Sequence, residues 1–139
     1  GSIKDGMDMA LCVLDVKARK AEFAGANNPM ILVRNKSVVK IRGDRFPIGA
    51  FEGDKPQRFK NNEIDLEEGD CIYLFSDGYA DQFGGPENKK FMSRRFEEVL
   101  LGINELPLDQ QKKILVERLK EWMGNNEQVD DILVIGIKI

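Results

Sequence analysis

The run Cys71-Ile72-Tyr73-Leu74-Phe75-Ser76-Asp77-Gly78 decides the fold. Five apolar residues in unbroken succession, without polar alternation, predict a strand buried on both faces. Ser76-Asp77-Gly78 closes that strand with turn chemistry. Upstream, Ile64 and Leu66 followed by Glu67-Glu68-Gly69-Asp70 lead into it. Further upstream, Met9 to Val16 and Lys20 to Ala26 read as a β-hairpin. Met30 to Val33 and Ser37 to Ile41 flank Arg34-Asn35-Lys36, where Asn35 tolerates the left-handed backbone of a tight turn. Asn28-Pro29 separates the two hairpins. Residues 43–56, with Gly43, Pro47, Gly49, Gly53 and Pro56, read as a loop.

Downstream the period changes. Phe96, Val99, Leu100 and Ile103 recur at helical spacing, with Ser93 as the expected N-cap. Pro107 interrupts, and Leu108, Leu115, Leu119 and Trp122 mark a second helix that Gly124 ends. Gly84-Gly85-Pro86 reads as a mobile surface loop, and Lys89, Lys90, Arg94 and Arg95 as a solvated basic cluster at a helix start. Ile132 to Ile139 is a second run expected to form a buried strand. Strands, then helices, then a strand predict an α+β fold with the helices packed on one sheet.

Composition narrows the chemistry. The 139 residues suit one domain. Twenty-one Lys and Arg against 24 Asp and Glu leave a net charge of −3, which excludes a globally basic nucleic-acid binder. There is no histidine at all. That excludes a Ser-His-Asp triad, a Cys-His pair and a His-ligated zinc. No apolar run approaches the roughly 20 residues of a membrane helix. Cys12 and Cys71 lie in apolar runs and read as reduced core thiols, in keeping with a cytoplasmic setting. Gly1-Ser2 reads as a cloning remnant and takes no part in the fold.

Two acidic segments sit at the ends of apolar strands: Ser76-Asp77-Gly78 and Asp130-Asp131. Carboxylates there are costly unless something neutralises them. If the two strands are neighbours, Asp77 and Asp130 converge, and oxygen ligands without histidine favour Mg²⁺ or Mn²⁺ over zinc. From spacing alone the ordinary alternative stays open: Asp-Gly as a turn and Asp-Asp as a loop before a strand.

Leu74-Phe75-Ser76-Asp77-Gly78-Tyr79-Ala80-Asp81 resembles the "SDG" segment of the metal-dependent Ser/Thr protein phosphatases of the type 2C class. Val129-Asp130-Asp131-Ile132-Leu133-Val134-Ile135 resembles that class's terminal acidic pair and last strand. Ala24-Gly25-Ala26-Asn27-Asn28-Pro29 and Phe46-Pro47-Ile48-Gly49 are similar to loops of its bacterial branch, the sporulation stage II protein E-like (SpoIIE) phosphatases. All four occur in the family's order, and the resemblance covers residues 5–139.

The resemblance implies an α-β-β-α sandwich with a binuclear Mg²⁺ or Mn²⁺ centre between the sheets, activating water for attack on phosphoserine or phosphothreonine. Carried over, Asp77 and Asp130 match metal ligands, and Gly78 follows the first of them in a tight turn. Asp81 matches a position associated with a further metal, and Asp131 a residue behind the ligands. The implied partners are a phosphorylated regulatory protein and an upstream sensor domain, with no nucleic acid and no membrane contact by this segment. The family also carries an earlier metal-binding Asp-Gly and a "GHG"-like turn, which a chain without histidine cannot contain; Asp5-Gly6 does not replace them. Asn27 stands where many relatives place histidine. Residues 3–139 are therefore expected to be the C-terminal part of one phosphatase domain, an incomplete sandwich lacking its N-terminal strands, with weak metal binding and slow or no hydrolysis. A non-catalytic docking module is the alternative, and an exposed sheet edge offers a route to a homodimer.

Overall fold

The computed structural model describes residues 5–49 and 58–139. Two antiparallel sheets and a helical layer stack on one another. The first hairpin is β1 (Met9–Asp15) and β2 (Lys20–Ala26), with Cys12 opposite Phe23. The second is β3 (Met30–Arg34) and β4 (Ser37–Ile41), closed by Asn35 and Lys36 at φ 48° and 61°. Two left-handed residues match the twist of a two-residue hairpin loop. β5 (Asn62–Asp65) joins β2, giving a three-stranded sheet in the order β1-β2-β5. β6 (Cys71–Phe75) lies between β3 and β9 (Val134–Lys138) in a four-stranded sheet ordered β4-β3-β6-β9. The described part of the expected 43–56 loop is irregular apart from single bridges, Ala26 with Asp44 and Met7 with Ile48; residues 50–56 lie outside the described residues.

Between β6 and β9 come α1 (Gly78–Asp81), the two-residue strands β7 (Phe83–Gly84) and β8 (Lys89–Lys90), α2 (Met92–Ile103) and α3 (Leu108–Met123). The core has two compartments because strand side chains alternate between faces. Met30, Leu32 and Ile72 point at Ala21 and Phe23 of the three-stranded sheet. Ile31, Val33, Cys71 and Tyr73 point at Phe96, Val99, Leu100 and Leu115 of the helices. This explains the continuous apolar runs of β3 and β6: both of their faces are covered. The α+β class and its sandwich layering therefore stand as expected. One helical layer is present among the described residues, and the outward Met9, Leu11 and Val13 of β1 remain exposed.

Three local expectations are corrected. β9 is an edge strand two residues shorter at its start than expected, and Leu133 and Ile135 are 56% and 44% exposed. An apolar run by itself fixes neither how many lateral neighbours a strand has nor that both its faces are covered. α2 starts at Met92, so Ser93 lies inside its first turn; the start is fixed instead by buried Phe91, whose ring meets Tyr79 and Trp122 at 5.3 and 5.2 Å. Gly84 and Gly85 form a packed corner, with the Gly85 amide donating to the Trp122 carbonyl at 2.9 Å. A Cβ on Gly84 would sit 2.5 Å from the Trp122 carbonyl carbon, which only glycine avoids. The basic cluster lies at the surface as expected, and it is also paired: Lys89 with Glu87, Lys90 with Asp81, Arg94 with Glu98, and Arg95 over the Trp122 ring. Cys12 and Cys71 are both free thiols, on different sheets.

Candidate metal centre

The β6–β9 pairing settles where the two acidic segments lie. Phe75 faces Val134, so the residues after β6 and those before β9 leave the sheet at the same end. Ser76 fastens them. Its amide donates to the Leu133 carbonyl (3.0 Å), its hydroxyl donates to the Asp131 carbonyl (2.9 Å), and it accepts from the Leu133 amide (2.9 Å). Gly78 closes the contact from the other side. A Cβ there would run into the Asp131 carbonyl oxygen and lie 2.8 Å from its carbon and 2.9 Å from Ile132 Cγ1. Gly78 is thus required by close backbone approach, at an ordinary negative φ.

Asp77 occupies the cap position of α1, yet its side chain makes no cap hydrogen bond, so the carboxylate is not spent on the helix. The residue is exposed at the rim, yet partial desolvation raises its pKa above the ordinary carboxylate value, and the negative charges of Asp81, Asp8 and Asp130 push it further in the same direction. Asp130 accepts from the Asp131 amide at 2.7 Å through one oxygen. Asp131 is exposed and contributes its carbonyl to Ser76, which places it beside the pair as a backbone brace. Asp81 donates its amide to the Asp77 carbonyl (2.9 Å), and its carboxylate is 3.6 Å from Lys90 Nζ. Among the described residues, no three His, Cys, Asp or Glu side chains are drawn together tightly enough to enclose a metal ion. The acids form an open group whose mutual repulsion Asp77 registers.

Asp8 is the residue that the sequence reading missed. It immediately precedes β1, where Met9 bridges Asn27, and its Oδ1 accepts from Asn27 Nδ2 at 2.8 Å. Asn27 holds φ 62°, a conformation asparagine tolerates, while its amide donates to the Asp44 carbonyl at 2.7 Å. Asp8 comes toward Asp77 only when the β1–β2 hairpin packs against the sheet that carries β6, and no local motif marks it.

The donor set fits a hard divalent cation. It is made of oxygen alone, and a dication would relieve both the burial and the repulsion that raise Asp77. Residues 4–139 match the family described as stage II sporulation protein E (SpoIIE). The chain belongs to the SpoIIE family.

Solved structures carry the same fold. The PP2C domain of SiaA from Pseudomonas aeruginosa is 33% identical, with a TM-score of 0.87, over 95% of this chain and 51% of that one. The phosphatase domain of the cell fate determinant SpoIIE from Bacillus subtilis is 17% identical, with a TM-score of 0.68, over 95% and 58%. The Mycobacterium tuberculosis serine/threonine phosphatase PstP/Ppp is 14% identical, with a TM-score of 0.61, over 94% and 59%; the last two show the fold alone. The present SpoIIE-family chain thus spans about half the length of the solved domains it matches. No curated protein matches it significantly. Within the described residues of this SpoIIE-family chain, no helix is long and apolar enough to cross a membrane.

Proposed function

We propose that this chain is the C-terminal part of a phosphatase domain that removes phosphate from phosphoserine or phosphothreonine on a protein partner, using Mg²⁺ or Mn²⁺ held by Asp77 and Asp130. The observation that carries the reading is the fastening of the Ser76-Asp77-Gly78 turn to the Asp130-Asp131 segment, which sets two strand-end acids at one rim of the sheet. Asp81 and Asp8 add negative charge at the same rim, and Gly78 and Asp131 hold the two segments in contact. When bound, a divalent ion supplies positive charge for the phosphoryl oxygens and lowers the pKa of water. The chain's own residues would hold that ion: Ser76 ties the two acidic segments to one frame, and the uncapped Asp77 carboxylate stays available as an oxygen donor. Phosphoryl transfer asks for positioning and charge more than for a side-chain nucleophile, which suits a chain without histidine.

Hydrolysis tests the reading directly. The natural protein is expected to hydrolyse a serine-phosphorylated peptide in Mn²⁺, and Asp77→Asn is expected to reduce the rate by at least about a hundredfold, a typical loss when a charge-stabilising group is removed. Unchanged turnover in Asp77→Asn removes the metal role from this residue. No turnover in either form leaves a non-catalytic docking module as the better reading.

A further inference from the structure

Asp77 also lines a cleft of about 220 Å³ whose other wall is basic. Lys40 from β4 and Arg42 and Arg45 just after it face this cleft, together with Asn27 and Ser93. Three cations against the single carboxylate of Asp77 make the lining net positive by two, on a chain whose total is −3. Lys40 is already engaged, 3.3 Å from Glu97 with both side chains about a quarter exposed. The arginines therefore set the character of the wall.

The wall is built on a fixed frame. Gly43, between the two arginines, is pressed against the turn after β2: a Cβ there would lie 2.7 Å from the Gly25 carbonyl carbon and 2.8 Å from the Asn28 carbonyl oxygen. The Asp44 amide donates to the Gly25 carbonyl (2.8 Å), and the Asp44 carboxylate accepts from the Lys60 amide (2.8 Å). Arg42 and Arg45 thus leave a backbone pinned on both sides, so that only their side chains remain to be ordered when a ligand arrives. Guanidinium groups offer paired donors that match the oxygens of a phosphate monoester.

We propose that Arg42 and Arg45 are substrate-positioning residues that seat the phosphate dianion of a phosphorylated serine or threonine segment in the cleft beside Asp77. This rests on the phosphatase reading above, but its test needs neither metal nor turnover. In EDTA, the 139-residue chain is titrated by calorimetry with a serine-phosphorylated peptide of otherwise neutral sequence, with its unphosphorylated twin, and with inorganic phosphate.

The phosphopeptide is expected to bind, and more tightly than its twin. The R42A/R45A double variant is expected to weaken that binding at least about tenfold, the loss of roughly one charge-assisted hydrogen bond, while R42K/R45K keeps part of it. Both arginines are exposed, so the variants are expected to melt with the wild type. Inorganic phosphate binding as well as the phosphopeptide, with the same arginine dependence, supports the wall and assigns it to the phosphate group alone. Absence of phosphopeptide binding, equal affinity for the twin, or undiminished binding by R42A/R45A overturns the proposal. Mn²⁺ affinity measured on R42A/R45A separates this outcome from the metal reading, because in that reading the ion is held by Asp77 and Asp130, and losing two nearby cations should not weaken it.

Discussion

Gly78→Ala is expected to destabilise the fold by about 2–3 kcal/mol, the upper range for forcing extra volume into a packed site. The added methyl meets the Asp131 carbonyl and Ile132 Cγ1, and the first of these is backbone that cannot rotate away. Relief requires the segment before β9 to move off the turn after β6. That movement stretches the Ser76 hydroxyl's bonds to the Asp131 carbonyl and the Leu133 amide. Urea unfolding of the two forms measures the cost, with an unchanged m-value if both unfold as one unit. A midpoint within error of the wild type would mean that the two acidic segments are not in contact.

Asp70→Ala is expected to cost about 2–4 kcal/mol, short of the full penalty for stranding a buried charge because Arg34 is 28% exposed and keeps Glu67 at 3.5 Å. Asp70 is 1% exposed, and both its oxygens are used: Oδ1 accepts from Arg34 Nε (2.9 Å), and Oδ2 accepts from Arg34 Nη2 (2.6 Å) and the Glu67 amide (2.8 Å). Its backbone carbonyl also receives the Ile139 amide, so the turn before β6 and the end of the chain are joined there. Burial acts to raise the Asp70 pKa, but the Arg34 hydrogen bonds, the Glu67 amide and the Arg34 charge outweigh it, and the result lies below the ordinary 3.8. A lowered carboxylate stabilises the fold fully above its unfolded-state value and loses that contribution as pH falls through the folded-state value. The stability gap between wild type and Asp70→Ala should therefore be widest at neutral pH and should narrow below about pH 4. A gap that stays constant down to pH 2 would contradict the ion-pair account.

Much of this architecture could be read from the residues because local chemistry and burial agreed. Cys71–Phe75 reads as doubly covered and lies between two strands and two core compartments. Asn35 reads as a turn and adopts a left-handed backbone. The apolar run before Ile139 reads as a buried strand, yet β9 lies at the edge, because lateral neighbours depend on the topology of the whole sheet. The pinned corner at Gly84 escaped notice because its partner, Trp122, is 38 residues away in sequence. Asp8 and the arginine wall escaped for the same reason. Each becomes part of the rim only when hairpin β1–β2 and the segment after β4 fold onto the end of β6. Ser76-Asp77-Gly78 and Asp130-Asp131 were legible because each carries its own turn chemistry at the end of an apolar strand.

Asp77 has the opposite sign to Asp70. Its raised pKa means that the charged form is disfavoured in the fold; the penalty is full above the folded-state value and disappears as pH falls below the unfolded one. Asp77 is exposed, so solvent screening keeps that penalty small in a metal-free chain, and a bound dication would remove it. The deciding measurement is thermal melting at pH 7 of wild type, Asp77→Asn and Asp130→Asn, each in EDTA and in increasing Mn²⁺. In EDTA, Asp77→Asn is expected to melt no lower than the wild type. Mn²⁺ is expected to raise the wild-type midpoint as its concentration passes the dissociation constant, and to leave both variants unmoved. Equal Mn²⁺ shifts in all three proteins would place any bound ion elsewhere and contradict the assignment of Asp77 and Asp130.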